Sequence, residues 1–164
     1  MIQLLAILGM LFTTSGSLLV TGSDGRVTDL RSLLKSQAAV VIVMKSGNCP
    51  VCIKQLITLS QRRPDLSRLG AVVIGLNLDG PKQNASLERR LGVKVFGDAD
   101  GRTLKKLGLW IRTSQSPMPG AVLLNRCGEI EAVFPGRSPG DGRTETILKA
   151  LRSVAAKPVC GTVI

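Results

Sequence analysis

Residues 38–52 read AAVVIVMKSGNCPVC, and this stretch decides the fold. Ala38 to Met44 is a continuous, largely β-branched apolar run, which is typical of a strand in a sheet that helices cover on both faces. Pro50 suits the first turn of a helix, because the N–H that proline lacks would have no partner there. Cys49 and Cys52 therefore lie between a buried strand and the start of a helix. That context predicts a redox dithiol rather than a metal knuckle.

The position of the two cysteines predicts their separate roles. The first turn of a helix has free N–H groups and the positive end of the helix dipole, and such a position lowers a cysteine pKa from about 8.5 to between roughly 3.5 and 7.5. Cys49 is therefore the predicted attacking thiolate. Cys52, one turn further on, is predicted to attack a mixed disulfide formed at Cys49 and to release the product.

Two structural readings of the same motif compete with the catalytic one. Cys49 and Cys52 could form a permanent disulfide that only staples the loop. They could also form half of a zinc site, which needs four ligands, with Cys127, Cys160 or carboxylates supplying the others. The spacing of the cysteines does not follow the paired C-x-x-C pattern of zinc sites, and we expect no metal, nucleotide or flavin.

Composition excludes several classes of function. The chain has 164 residues, the length of one domain, and it has no histidine, which excludes Ser-His-Asp and Cys-His catalysis. Lys and Arg number 22 against 11 Asp and Glu, a net charge of +11. Because these basic residues are scattered, they predict a solvated surface or attraction to an anionic membrane or an acidic partner. Aromatic residues make up 2% and no recognition motif is visible, so nucleic-acid binding is not predicted.

The pattern of apolar residues and turn signals predicts alternating strands and helices. From Ala38 onward the order is β, α, β, α, β, a short α, a β-hairpin and a last helix, which indicates an α/β fold with a mixed sheet. The predicted strands are Leu18–Thr21, Ala38–Met44, Ala71–Leu78, Val93–Phe96, Ala121–Leu124 and Glu129–Phe134, and the predicted helices run from Asp29 to Leu34, from Pro50 to a stop at Gly70, from Asn84 to Leu91, from Asp100 to Gly108 and from Thr144 to Ala156.

The N-terminal segment has the character of an export signal. Met1 to Phe12 is apolar and uncharged, and small and polar residues follow it. We predict a signal peptide or membrane anchor over residues 1–17, a folded domain over 18–156 and a tail over 157–164. The protein is then exported to the periplasm or the extracellular space, with possible anchoring by its N-terminus. The alternative is a buried N-terminal strand or helix in a cytosolic protein.

Three stretches resemble the thioredoxin-like superfamily, and within it the AhpC/TSA and TlpA-like redoxins. They are VVIVMKSGNCPVCIKQL at 40–56, GDADGRTLKKLGL at 97–109 and MPGAVLLNRCGEI at 118–130. The resemblance spans about Leu18 to Val154 and implies a thioredoxin-like three-layer sandwich, a mixed sheet with helices on both faces. By the same match, Pro119 is expected to be a cis-proline that follows Met118, in a loop that faces the dithiol and binds the substrate chain. An ordinary trans proline is the alternative.

The sequence departs from these relatives near the dithiol. Asn48 stands where many relatives have tryptophan. Gln55 stands where TlpA-like reductases often have a glutamate that shuttles the proton of the buried cysteine. Gln55 cannot titrate, so water or another carboxylate must take that proton.

We therefore expect a thiol-disulfide oxidoreductase that exchanges disulfides with exported, cysteine-containing proteins and with a thiol reductant or oxidant. Peroxiredoxins are the near alternative. Ser46 fits their Thr/Ser position ahead of the reactive cysteine, but Ile42 replaces their proline and Pro119 stands where they place an arginine. A third reading is a non-enzymatic accessory or maturation factor that retains the fold.

Cys127 is expected far from the dithiol. Eight residues of mostly extended chain separate it from Pro119, which is about 25 Å. In an exported protein, Cys127 and Cys160 could form a structural disulfide, and two free thiols are the alternative.

Overall fold

The computed structural model describes residues 16–136, 142–158 and Cys160. In chain order its elements are β1 (Leu19–Thr21), β2 (Val27–Asp29), α1 (Leu30–Leu34), β3 (Ala38–Val43), α2 (Pro50–Gln61), α3 (Arg63–Arg68), β4 (Ala71–Asn77), α4 (Pro81–Leu91), β5 (Val95–Gly97), α5 (Arg102–Lys106), β6 (Trp110–Ile111), β7 (Ser116–Pro117), β8 (Gly120–Leu124), β9 (Ile130–Pro135) and α6 (Gly142–Ala155).

Seven strands form one mixed sheet in the order β2-β1-β5-β4-β3-β8-β9. The central strands β3, β4 and β5 are parallel, whereas β8 runs antiparallel to β3 and β9 antiparallel to β8. A separate two-stranded sheet pairs β6 with β7. Because β3 and β4 are parallel, their C-terminal ends lie at the same edge of the sheet, and the loop that carries the dithiol follows β3 at that edge.

The central strand β3 explains why helices lie on both faces of the sheet. All six of its residues are buried. Val40 and Ile42 face the apolar side chains of α2 and α6, while Val41 and Val43 face those of α1 and α5. Because side chains alternate along a strand, a wholly apolar strand needs cover on both sides. The result is three layers, as the sequence predicts.

Several helix ends follow directly from local chemistry. Asp29 caps α1, as predicted, because its carboxylate accepts the N–H of Arg31 at 3.0 Å. Gly92 ends α4 with a φ of 65°, a left-handed conformation that glycine adopts without strain. The start of α4 is a correction: the helix begins at Pro81 rather than at Asn84, which lies buried inside it.

The predicted continuous helix up to Gly70 is also wrong. Helix α2 ends at Gln61, and a separate helix, α3, begins at Arg63 with Pro64 in its first turn. Proline has no N–H to continue the α2 hydrogen-bond pattern, but it is well placed in the first turn of a new helix.

The cis peptide expected at Pro119 is absent, because the peptide bonds that the structure describes are all trans. The N–H of Met118 donates to the Leu109 carbonyl at 3.0 Å, and the Pro119 carbonyl accepts from Gly136 at 2.7 Å. These bonds hold the chain on both sides of the Met118–Pro119 peptide as it passes from β7 into β8. The trans form is also the intrinsically preferred one.

The predicted export segment lies almost wholly outside the described residues, which begin at Gly16. Within the part of the chain that the structure describes, no helix has both the length and the apolar character to cross a bilayer.

Candidate active site

Cys49 caps the N-terminus of α2. Its backbone is extended (φ −89°, ψ 100°), and its sulfur accepts a hydrogen bond from the backbone N–H of Cys52 at 3.4 Å. Its carbonyl accepts the N–H of Ile53 at 2.9 Å, so the helix begins with Pro50 as its first residue. The sulfur therefore lies at the positive end of a twelve-residue helix. This is the position that the sequence predicts for a nucleophilic thiolate.

The two cysteines of the motif form a disulfide, with their Cα atoms 5.3 Å apart. Cys49 is partly exposed, whereas Cys52 is only 4% exposed and belongs to the core under α2. Cys49 is therefore the more accessible cysteine of the pair. This asymmetry agrees with the predicted roles of an attacking Cys49 and a resolving Cys52.

A carboxylate holds the loop that precedes the dithiol. Asp79 accepts the N–H of Gly47 at 2.7 Å, and Ser46 accepts the N–H of Asn48 at 3.2 Å. The loop also lies close to α4, since a Cβ on Gly47 would come within 3.2 Å of Leu87. Asp79 thereby links the β3–α2 loop to the segment between β4 and α4.

Two buried asparagines position Asp79. The side-chain amides of Asn77 and Asn84 donate to each other's oxygens at 2.9 and 3.0 Å. The Asn77 oxygen also accepts the N–H of Asp79 at 3.0 Å, and Asn84 donates to the Asp79 carbonyl at 3.3 Å. Sequence reasoning did not identify this group. Its one signal was an asparagine at the end of an otherwise apolar strand, where a buried amide needs partners.

Gln55 lies one helical turn after Cys52 and is 8% exposed. Its amide nitrogen is buried and has no hydrogen-bond partner among the residues that the structure describes. The side chain does not hydrogen-bond either sulfur. Gln55 therefore leaves an unsatisfied donor in the core beneath the dithiol, which is costly in a folded protein.

The predicted substrate-binding residues lie at the correct end of the sheet. Gly120 pairs with Val43, the last residue of β3, so Met118 and Pro119 lie at the same edge as the dithiol loop. However, the Met118 side chain packs with the cluster on the opposite face of the sheet from Cys52. The N–H of Met118 is already bonded to Leu109. Substrate binding by Met118 and Pro119 stays a prediction.

The features that activate peroxide in the resembled enzymes are only partly present. The Ser46 hydroxyl accepts a bond from Asn48, and Ile42 is fully buried in β3. Over the residues that the structure describes, no arginine forms a hydrogen bond or ion pair with Cys49 or Ser46. Among the described contacts, the N-terminus of α2 is therefore the feature placed to activate Cys49.

Asp98 is the buried carboxylate near this edge of the sheet. Burial raises its pKa above the ordinary 3.8, in opposition to the N–H of Leu104, which lowers it. The Asp98 oxygen accepts that N–H at 2.8 Å, so the side chain points toward α5, on the sheet face away from Cys52. Asp98 is therefore not placed to take the proton of Cys52.

Cys127 and Cys160 form the second disulfide, with Cα atoms 5.4 Å apart. Leu124 pairs with Ala39 at the start of β3, so the turn that holds Cys127 lies at the opposite end of the sheet from Cys49. This confirms both the predicted separation and the hypothesis that the two residues pair.

Comparisons with known proteins agree with this architecture. The AhpC/TSA family model matches residues 15–133. The fold is similar to peroxiredoxin Q of Xanthomonas campestris, with a TM-score of 0.72 and 18% identity over 84% of this chain and 90% of that one. Peroxidoxin BcpB of Mycobacterium tuberculosis has a TM-score of 0.71 and 17% identity over 83% and 92%.

The mitochondrial 2-cys peroxiredoxin of Plasmodium falciparum aligns with a TM-score of 0.65 and 12% identity, over 88% of this chain and 95% of that one. A search of curated protein sequences finds no significant match. At these identities the solved structures show a shared fold. The predicted thioredoxin-like sandwich is confirmed.

Proposed function

The chain belongs to the AhpC/TSA family, and we propose that it is a thiol-disulfide oxidoreductase acting through Cys49 and Cys52. One observation carries the proposal: Cys49 is partly exposed, its sulfur accepts the N–H of Cys52 at a helix N-terminus, and that sulfur is bonded to the sulfur of Cys52. This arrangement supplies both a stabilised thiolate and an internal thiol to resolve the intermediate.

The proposed reaction transfers two electrons to a substrate disulfide. The reduced Cys49 thiolate attacks one sulfur of the substrate, forms a mixed disulfide and releases the other sulfur as a thiolate, which takes a proton from solvent. Cys52 then loses its proton to solvent and attacks the Cys49 sulfur. The substrate leaves as a dithiol, and the Cys49–Cys52 disulfide forms. A thiol reductant restores the dithiol, and the same steps in reverse oxidise a substrate.

Export supplies the cellular context of the proposal. A structural disulfide between Cys127 and Cys160 persists in an oxidising compartment such as the periplasm or the extracellular space. The apolar stretch from Met1 to Phe12 is consistent with a signal peptide or a membrane anchor. The proposed substrates are therefore other exported proteins that contain cysteine pairs.

Thiol-dependent peroxide reduction is the second candidate, because the similar solved structures are peroxiredoxins. In that reaction Cys49 attacks the peroxide, an alcohol or water leaves, and Cys49 becomes a sulfenic acid. Cys52 condenses with the sulfenic acid, which gives the Cys49–Cys52 disulfide and water, and a dithiol reductant closes the cycle. The site offers Ser46 but no guanidinium among the described contacts of Cys49. That difference favours disulfide exchange.

One experiment compares the two reactions. The rate constants of the reduced protein with hydroxyethyl disulfide and with hydrogen peroxide are measured for the wild type, Cys49→Ser and Cys52→Ser. We expect exchange in the wild type, none in Cys49→Ser, and a trapped mixed disulfide in Cys52→Ser. Faster reaction with peroxide than with the disulfide supports the second candidate. A wild type that is inactive in both assays overturns both and leaves an accessory role for the fold.

A further inference from the structure

We propose that the groove between α2 and α4 binds an acidic segment of the protein substrate, next to the cysteine that Cys49 attacks. This inference rests on the proposed disulfide exchange and names the class of substrate that it selects. The groove has a volume of about 620 Å³. It begins at Gly47 and Asn48, immediately before the dithiol, and continues along α2.

One face of α2 forms the wall of the groove. Pro50, Ile53, Lys54 and Ile57 recur at helical spacing, so they share one face of the helix. Ile53 and Ile57 are partly buried and supply an apolar floor, while Lys54 is exposed. Because Pro50 follows Cys49 directly, a chain whose cysteine is bonded to Cys49 can continue into this groove.

The charge of the groove is of one sign. Lys54 on α2 and Arg90 on α4 line it, and none of the described residues that line it is a carboxylate. Neither cation has an ion-pair partner in the described portion of the chain, whereas Arg62 pairs with Asp65 and Lys94 with Glu88. Lys54 and Arg90 are thus available to a partner, and the complementary partner carries Asp or Glu.

The dimensions of the groove suit a short peptide segment. From Cys49 to Gln61 the helix rises by about 18 Å, and an extended chain covers that distance in roughly five or six residues. A substrate segment that matches the groove places an apolar residue against Ile53 or Ile57. Its carboxylates then lie near the charged groups of Lys54 and Arg90. Attraction between opposite charges at such a surface raises the association rate and weakens with salt.

The test uses two peptides that differ only in charge. Each carries one cysteine as a mixed disulfide with 2-mercaptoethanol, flanked on one peptide by Asp residues and on the other by Lys residues. The readout is the ratio of the two rate constants with the reduced full-length protein, since changes in dithiol reactivity cancel in a ratio. We expect the acidic peptide to react about tenfold faster at low ionic strength, with the preference largely lost in about 0.5 M salt.

Two double variants separate the groove from the general basic charge of the protein. Lys54→Glu/Arg90→Glu should abolish or reverse the preference for the acidic peptide. Arg112→Glu/Lys149→Glu makes the same change in net charge at exposed residues outside the groove and should keep the preference. Equal rates for both peptides in the wild type, or an equal loss in the two double variants, overturn the inference.

Wild-type exchange with hydroxyethyl disulfide, which is small and uncharged, distinguishes the two levels of the proposal. Exchange with this compound but no discrimination between the peptides overturns the groove alone. No exchange with any of the three disulfides overturns the proposed function, and with it the role of the groove.

Discussion

The backbone N–H of Cys52 donates to the sulfur of Cys49 at 3.4 Å, so the first cysteine of the motif caps the helix through an N–H of the second. A negatively charged sulfur accepts such a bond better than a neutral one. The contact therefore favours the thiolate of Cys49 when the disulfide is reduced. Cys52 itself lies in the apolar core under α2.

Alkylation of the reduced protein should distinguish the two thiols. With iodoacetamide at pH 6, we expect Cys49 to react at least about tenfold faster than Cys52, because a thiolate at a helix N-terminus is the reactive species and Cys52 is buried. Quenched time points and peptide mass spectrometry give the two rates. Equal rates would show that the helix end does not activate Cys49.

Replacement of Gln55 by leucine should stabilise the protein by about 1 kcal/mol, because an unsatisfied buried donor is removed and an apolar side chain of similar size takes its place. Urea unfolding measures the change. Gln55→Glu is the matched comparison and should destabilise, since it buries a carboxylate. A lower midpoint for Gln55→Leu would mean that the amide has a partner in solution.

Asp98 should make stability depend on pH in an unusual direction for a carboxylate. Burial, together with the neighbouring carboxylate of Asp100, raises the pKa of Asp98 above 3.8 in the folded protein. Protonation of Asp98 thus favours the folded state below about pH 3.8, and this contribution is lost as the pH rises through the folded-state pKa. Asp98→Asn keeps an oxygen for the Leu104 N–H and stays neutral.

We therefore expect Asp98→Asn to raise the melting temperature at pH 7 and to give no increase at pH 3, as measured by circular dichroism. Asp100→Asn serves as the control. Hydrogen bonding to the Arg102 N–H lowers the pKa of the Asp100 carboxylate, so loss of that charge should not stabilise the protein at pH 7. The same gain in melting temperature for Asp98→Asn at both pH values would contradict a raised pKa of Asp98 in the folded protein.

Loss of the second disulfide should affect stability but not exchange. Cys127 and Cys160 are separated by 33 residues, and closing a loop of that size stabilises a protein by about 3–4 kcal/mol in the chain-entropy treatment. Cys127→Ala/Cys160→Ala should lose roughly that amount in urea unfolding and keep the wild-type rate with hydroxyethyl disulfide. A fall in rate comparable to that of Cys49→Ser would assign this pair to the reaction.

Local signals predicted the elements that depend on neighbouring residues. Asp29 as a helix cap, Pro50 at the start of α2 and Gly92 at the end of α4 each act within one turn of the chain, so the sequence alone specifies them. The apolar run of β3 and the start of α2 at Pro50 are also local signals, and together they predicted that the dithiol lies between this strand and this helix. The short sheet of β6 and β7 escaped prediction, because strands of two residues have no periodicity.

Tertiary contacts account for what the sequence did not reveal. The bond from Gly47 to Asp79 joins positions 32 residues apart, and the Asn77–Asn84 pair forms only once β4 and α4 are packed. The resemblance that suggested a cis bond at Pro119 did not predict the hydrogen bonds to Leu109 and from Gly136 that hold that segment. Likewise, the groove beside Cys49 combines residues of α2 with Arg90 of α4, which is distant from them in the sequence.

The five residues of β8, a strand about 17 Å long, run between the two ends of the sheet that hold the two sulfur pairs. The turn from Asn125 to Gly128 therefore offers a site for attaching the protein to a solid support, with the dithiol end turned toward the solution. With Cys49 left open to a glutathione buffer, the fraction of Cys49–Cys52 disulfide at equilibrium reports the midpoint potential of this pair, and that potential distinguishes a donor of electrons from an acceptor.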